Sequence, residues 1–434
     1  MYQFSPKLKK LSITFILIGA IGILLGFLST PSSVDDVLES MNEQHDTHAP
    51  SSDHDSHVSH DKAHAEHVFH QMKNRPWAAF YVSCLFFLGV TLLVLVFNAI
   101  QRVAQAGWSI VLFRVMEGIG GALLPLSIFI FIILLLSAMH FNHLFVWMLP
   151  GTTDPESSNY DAIIAAKSLW LNIPGWIIRS FIYLFGWNVY SRLSRKTSLA
   201  QDDANTWVFY NKNFKYSVAF LGFFLFSESM MSWDWIMSLD PHWFSTLFGW
   251  YVLATFLVSA VTVIAMVTVY LRSKGFLDFV SDSHLHDLAK FMFGFSIFWT
   301  YLWFSQFMLI WYSDMPEETT YYLQRFEEYK LPFLMMIPMN FIFPVLLLLN
   351  SDYKRLPAFI IGAGVVVLLG HYVDLFVMIM PATVGSEWFF GVPEISSILF
   401  FLGVFIYSVF GTIAKAPLLA KGNPFLKESQ TFHY

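Results

Sequence analysis

Within long apolar stretches of this 434-residue chain lie Arg179, Glu228, Asp234 and Asp374, side chains that are charged at neutral pH in water. A charge at mid-bilayer costs about 2.5–3.5 kcal/mol even on lenient insertion scales, so each needs a partner or a role. His371 precedes Asp374 by three residues, which places both on one face of a helix. Ser227 and Asp234 are seven residues apart and share a face, with Glu228 about 100° round from them. Asp240 and His242 follow in a short turn, His140 and His143 close another apolar stretch, and Gln306 lies in a further one. Three readings stand open for this inventory. The groups surround a polar-headed apolar ligand such as a quinol, whose oxidation releases protons that carboxylates and histidine accept. Or they form a proton or ion path, since chains of Asp, Glu and His are the usual relay. Or they are structural pairs, Arg179 with Glu228 for instance, that hold helices in register.

Metal and haem chemistry find less support. The single cysteine, Cys84, rules out a disulfide framework, a Cys-ligated zinc site, an iron–sulfur cluster held by this chain alone and a Cys-x-x-Cys-His haem attachment. Of the histidines, His371 is the one well inside an apolar stretch, and its best partner for a bis-histidine haem, His140, sits at the end of one. A lone histidine bonded to a neighbour is the simpler reading, and no haem is expected on this chain. His54, His57, His60, His64, His67 and His70 recur every three or four residues and would form a one-sided stripe if helical. Such a face holds zinc or copper in some proteins, but acidic and serine residues interrupt it, and the segment reads as a solvated loop with no metal expected.

The elements that must position these residues are membrane helices. The chain is 56% hydrophobic, 18% aromatic and only 13% charged, about half the charge of a soluble domain, which excludes a large soluble enzyme. Phosphate-loop, dinucleotide-binding and nucleic-acid-binding signatures are all missing. A bilayer core needs roughly 20 apolar residues per helix, and ten stretches qualify: about 12–29, 77–97, 119–139, 169–190, 216–239, 246–270, 289–312, 331–350, 357–380 and 391–414. With the N-terminus in the cytoplasm, most lysines and arginines fall on the inside. The outside loops then keep Lys62, Lys73, Arg75, Lys167, Arg325 and Lys330, and most of the acids. This positive-inside asymmetry places both termini in the cytoplasm. Glu228 and Arg179 then lie near mid-membrane, with Asp234, His371 and Asp374 in the outer half and Asp240 at the outer turn. Aromatic residues around 298–312 serve as interface belt and packing, or line a channel for an apolar ligand.

The run from Ser232 through Trp233, Asp234, Trp235, Asp240, Pro241, His242 and Trp243 to Gly249, Trp250 and Tyr251 resembles a segment of the NrfD-like (polysulfide reductase type) membrane subunits of bacterial alternative complex III. The ten spans, the acidic fifth span and the His-rich first outer loop resemble the shorter of its two large paralogous membrane subunits, the ActF type. The resemblance implies an all-α fold with two four-helix bundles, spans two to five and six to nine, flanked by spans one and ten. Residues 1–30 then form the first helix, 31–76 a His-rich extracytoplasmic loop, 77–239 and 240–380 the bundles, and 381–434 the last helix and a cytoplasmic tail. It implies a bacterial inner-membrane location and a set of partners: the paralogous NrfD-like subunit, an iron–sulfur protein, c-type cytochromes, a terminal oxidase and lipids, but no nucleic acid. Haem and iron–sulfur clusters would belong to those partners, quinol would be the ligand, and nothing would be bound covalently here.

On this reading the chain supports quinol oxidation, with proton translocation left open. Glu228, Asp234, His371 and Asp374 are the proton-path or quinol-linked residues, Asp240 stands at suitable depth beside them, and Arg179 is a charge partner. The alternatives are a stand-alone proton-coupled transporter using Glu228 and Asp374, and a purely structural scaffold.

Overall fold

The computed structural model describes residues 2–31, 33–38, 57–204 and 206–433, the side chains of 57–64 and 67 excepted. The described residues are helical with turns, and no strand occurs among them. Ten long helices are named here in chain order. α1 is Pro6–Leu28, α2 His57–Val103, α3 Leu123–Ala138, α4 Ile173–Gln201 and α5 Val208–Trp235. α6 is Phe248–Ser273, α7 Asp282–Ser313, α8 Lys330–Leu349, α9 Pro357–Val384 and α10 Val392–Ile413. Eight of the described helical stretches are long and apolar enough to cross a membrane, so this is an apolar, all-helical, multi-pass chain. The two that fall short are α4 and α5, with 29 and 28 residues. At 1.5 Å per residue each is about 42 Å long, so length is not the obstacle. Arg179, Arg192, Arg195 and Lys196 on α4, and Lys212, Lys215, Glu228 and Asp234 on α5, lower their hydropathy.

α2 is the hub. It packs on α3, α5, α6, α9 and α10, and the apolar window within it is 94% buried, against 22% for the peripheral α1. A helix that is apolar all round has no face to spare for solvent and is enclosed by others. The remaining contacts form two rings, α2–α3–α4–α5 and α6–α7–α8–α9, which meet through α2 on α6 and α9 and through α5 on α6. α1 lies against α10, which in turn lies on α2 and on the short helix Phe113–Ile119 that precedes α3. Small residues permit this approach, as in many membrane helix pairs. A Cβ added at Gly22 would lie 1.9 Å from the Ser396 Oγ, and one at Gly19 2.5 Å from the Phe400 nitrogen.

Several boundaries differ from the expected ones. Residues 57–76, expected as a solvated loop, continue α2 as helix, because Ala63, Ala65, Glu66, Gln71, Met72 and Lys73 are good helix formers and Pro76 alone interrupts them. His54 lies outside the described residues. α4 starts at Ile173 rather than 169, where the Asn172 side chain accepts from the Gly175 amide and Pro174 occupies the first turn. α5 ends at Trp235 rather than 239, and Met237–Leu239 tightens into a single 3₁₀ turn. α8 carries a π turn at Pro338–Ile342, between Pro338 and Pro344; a missing proline N–H is a common cause of such a break.

Cross-element hydrogen bonds sort the connections into two ends. At one, Ser429 donates to the Trp108 carbonyl, Gln201 to the Gly422 carbonyl, and Tyr2 packs on Phe276 and Phe410. That terminal end therefore gathers both chain termini with the α2–α3, α4–α5 and α6–α7 connections. The opposite, far end gathers the α3–α4, α5–α6, α7–α8 and α9–α10 connections, linked for example by Lys167 donating to the Pro241 carbonyl at 2.6 Å and Trp388 donating to the Glu328 carbonyl at 2.9 Å.

Candidate functional site

Along α5, Asn213, Ser217, Phe220, Phe224, Ser227, Met231 and Asp234 are buried at alternating spacings of four and three, the signature of one helix face. That face meets α4. From the terminal end, Ser194 Oγ donates to the Asn213 amide oxygen at 3.0 Å, and Tyr190 and Ser217 share a hydroxyl bond at 2.8 Å. Trp187 then donates to the Ser227 Oγ at 3.0 Å. The seam ends on Asp234, which is fully buried.

The Asp234 carboxylate accepts from Arg179 Nε at 2.8 Å and Nη2 at 2.9 Å, Trp170 Nε1 at 2.9 Å and Tyr183 Oη at 2.9 Å. The Asp234 backbone carbonyl takes the Trp176 indole N–H at 2.7 Å. The Arg179 guanidinium lies over the Trp170 ring, 4.3 Å from its centre. Four donors for two oxygens, two of them a bidentate guanidinium, hold this carboxylate as a satisfied anion. The structural-pair reading offers Glu228 as a partner for Arg179. The structure gives it Asp234 instead, because Asp234 lies on the α4-facing stripe and Glu228 does not. Glu228 is buried one turn before Ser232, the residue against Gly249 of α6, and its Oε1 has no hydrogen-bond partner.

A second centre lies in the other ring of helices. Asp374 is fully buried and accepts from Thr255 Oγ1 at 2.8 Å, Trp299 Nε1 at 2.8 Å and the Tyr251 hydroxyl. His371 comes to 3.6 Å from its Oδ2, too far for a hydrogen bond, and neither ring nitrogen of His371 has a partner. No Lys or Arg pairs with Asp374 among the described residues. Buried polar atoms without partners extend through this ring: both ends of the Asn340 amide in the π turn, Gln306 Oε1 and Ser296 Oγ. Towards the far end stands Arg325, buried, with its guanidinium 3.2 Å from the centre of the Tyr321 ring. Burial pushes the Tyr321 hydroxyl pKa up, and Arg325 opposes that while Asp374 and Asp240 add to it.

The aspartates thus occupy matched places, each on the last helix of its ring and each bound by an indole N–H and a phenol O–H. The sequence reading groups them as one set of proton-path or quinol-linked residues, but in the structure each has its own partners. Asp234 takes its partners from α4 and the segment before it, Asp374 from α6 and α7.

Asp240 stays half-buried at the α5–α6 turn, apart from the Asp234 carboxylate's donors. Beside it a cleft of about 350 Å³ is walled by Trp170, Trp233, Met237, Trp243 and Phe244, with Lys167 and Ser238 as its polar groups. Burial lowers the Lys167 pKa, opposed by Asp240 and Asp161. Asp161 accepts from the Ile163 and Ile164 amides at 2.9 and 3.1 Å and pairs with His242 at 2.6 Å. The bond from Ile164 is the main cause that lowers the Asp161 pKa, with His242 next. A carboxylate whose pKa is lower folded than unfolded contributes fully above the unfolded value, and that contribution is lost as pH falls through the folded one. Acidification from pH 5 to 3 is therefore expected to raise amide exchange at 162–166, after correction for intrinsic rates. Asp161→Ala should show the fast exchange at both pH values, measured by hydrogen–deuterium exchange mass spectrometry.

The terminal end holds a charged group that sequence reasoning passed over. Glu117 accepts from Arg102 Nη2 at 2.7 Å and Arg114 Nη1 at 2.8 Å, and Arg114 also binds Asp202. Arg195 donates to the Glu117 and Thr412 carbonyls at 2.9 and 2.8 Å. Burial raises the Asp202 pKa, with Arg114 opposing. The available signal was the Arg114–Glu117 spacing of three, which puts both on one helical face. An apolar stretch that begins at 119 leaves both residues outside it. The polar face of α5 is also legible as a heptad pattern, of which Ser227 and Asp234 are two members.

No group of three or more His, Cys, Asp or Glu side chains gathers in metal-binding geometry among the described residues. Of the two histidines weighed for haem, His371 is buried against Trp299, ring centres 5.4 Å apart, and His140 is exposed at the end of α3. No protein-family model matches the chain, and no curated protein matches it significantly.

Proposed function

We propose that this chain is a membrane subunit of a respiratory quinol:electron-acceptor (cytochrome c) oxidoreductase, of the NrfD-like, ActF type of bacterial alternative complex III. On this reading all ten long helices span the inner membrane, α2–α5 and α6–α9 are its two four-helix bundles, and the terminal end is cytoplasmic. The order of helix packing and the collection of Lys and Arg at the terminal end support that arrangement. The protein carries no redox centre. Two electrons from each quinol pass to iron–sulfur and c-type cytochrome partners, and the two protons need titratable groups to receive them.

The observation that carries this reading is Asp374 with His371, a buried acid and a buried imidazole side by side without a Lys or Arg countercharge among the described residues. A buried anion is costly without a paired cation, and the unpartnered polar atoms of Asn340, Gln306 and Ser296 extend the surroundings of this pair. Asp234, locked by Arg179, is the structural counterpart in the first ring. The aromatic cleft at the far end, with Trp170 bridging to Asp234, is of a size and lining suited to a quinol headgroup.

Glu228, buried with an unpartnered oxygen, is the feature that favours the alternative, a proton-coupled transporter acting alone. Purification in mild detergent separates the two. The proposed subunit is expected to co-purify with haem-bearing and iron–sulfur proteins. A chain isolated alone that drives proton-coupled uptake in vesicles would overturn the proposal.

A further inference from the structure

At the far end, a second cavity of about 260 Å³ opens between α2, the α3–α4 connection and the end of α9. Two histidines stand on its wall, His70 on α2 and His143 just beyond α3, with ring centres 5.4 Å apart and planes crossed at 63°. They are separated by 73 positions in the chain, so the fold alone brings them together. With Zn–N bonds of about 2.0–2.1 Å and a tetrahedral angle, two imidazoles on one zinc ion have ring centres roughly 5 Å apart. The observed spacing leaves room for one ion between the two rings.

The backbone carrying His143 is held in place for this. Asn74, one turn after His70 on the same helix, clamps His143 from both sides. Its Oδ1 accepts from the His143 amide at 3.0 Å, and its Nδ2 donates to the His143 carbonyl at 3.1 Å and the Thr383 carbonyl at 3.4 Å. On the other flank, Asn142 Oδ1 accepts from Ser137 Oγ at 2.9 Å and from the Leu144 amide at 3.4 Å. His140 closes α3 in the left-handed region, at φ 61°, which turns the chain back towards α2. These bonds fix the backbone that carries the His143 ring at the cavity wall.

We propose that His70 and His143 form a site for a divalent transition-metal ion of the zinc or copper class, two coordination positions remaining for water or a small anion from the cavity. A bound ion would tie α2 to the α3–α4 connection beside Thr383 of α9, bracing the far end of both rings. Imidazole suits these metals, and borderline-soft ions are preferred over Mg²⁺ or Ca²⁺, which require oxygen donors. The site does not depend on the quinol reading above, because no residue in it is part of the Asp234 or Asp374 centres.

Zinc titration of the purified full-length protein, followed by calorimetry, tests the assignment. Any zinc taken up by the histidines between His45 and His67 is common to every variant and forms the background. His70→Ala and His143→Ala are each expected to remove the same one-equivalent class of sites, with affinity falling at least the tenfold seen when ligand support is lost. The double variant should lose no more than either single one, since both act on one site. His433→Ala, an exposed histidine at the opposite end of the molecule, should bind as the wild type does. Cu²⁺ loaded at one equivalent should show two coordinated imidazole nitrogens by electron paramagnetic resonance, and one in either variant. Wild-type affinity and stoichiometry in both single variants would overturn the site, as would losses that simply add. Unfolding temperatures measured with chelator guard against misfolding, and His70 is exposed enough that its variant keeps the test valid if His143→Ala does not fold.

Discussion

Arg179→Ala is expected to destabilise the protein by about 3–5 kcal/mol, because it strands a fully buried carboxylate without its cation. Trp170 and Tyr183 would remain as donors to Asp234, but neither carries charge. Asp234→Asn should cost less, since the amide oxygen still accepts from these groups and Arg179, which retains some solvent contact, stays partly hydrated. Replacing both partners together by apolar residues of similar volume, Arg179→Met with Asp234→Leu, should recover much of the loss, as breaking a buried pair costs more than removing it. Denaturant unfolding of the three variants in one detergent measures the order. If Arg179→Ala unfolds at the wild-type midpoint, the pair does not hold α4 to α5.

Asp374→Asn is expected to act on function with little effect on fold. The asparagine oxygen can still accept from Thr255, Trp299 or Tyr251, so the three helices keep most of their contacts. What disappears is a carboxylate able to take up and release a proton beside His371. A positioned acid–base group contributes typically 10²–10⁴-fold to a step that needs it. On the proposed function, the variant should assemble normally into the reconstituted complex and lower the rate of quinol oxidation by about a hundredfold if proton transfer through this site limits turnover. Arg179→Ala and Asp374→Asn therefore separate the two aspartates: the first reads as lost stability, the second as lost proton handling. Assembly with the wild-type rate in Asp374→Asn would leave the chain a scaffold.

How far the site could be read in advance depended on what kind of contact defines it. His371 and Asp374 are near in space because they are near in sequence, one turn apart on α9, and helical period alone placed them together. The same period put Ser227 and Asp234 on one face and Glu228 on another, and the structure has them so. The partner of Arg179 could not be obtained that way. Glu228 and Asp234 are both acidic residues on the neighbouring helix, and choosing between them requires the depth and rotation at which α4 meets α5. Those are set by a row of contacts, Tyr190 stacked on Phe220 at 3.9 Å among them, that no single-helix pattern contains. The Glu117 group escapes a hydropathy reading for a related reason. Hydropathy ends a span where charges begin, whereas Arg102, Arg114 and Arg195 neutralise and enclose Glu117 inside the protein.

Composition and the spacing of apolar residues were enough to establish a helical membrane chain with charged residues buried in it, because the length of a helix and the absence of water in lipid are properties of one segment at a time. Eight helices reach that standard by their own apolarity. α4 and α5 do not, and their place in the ring depends on α2, α3 and α6 to cover what they carry. Whether Asp234 and Asp374 meet each other, which donor each one takes, and that His70 stands against His143 were decided only when helices packed, since rotation about each axis and offset along it are collective outcomes of side-chain fit.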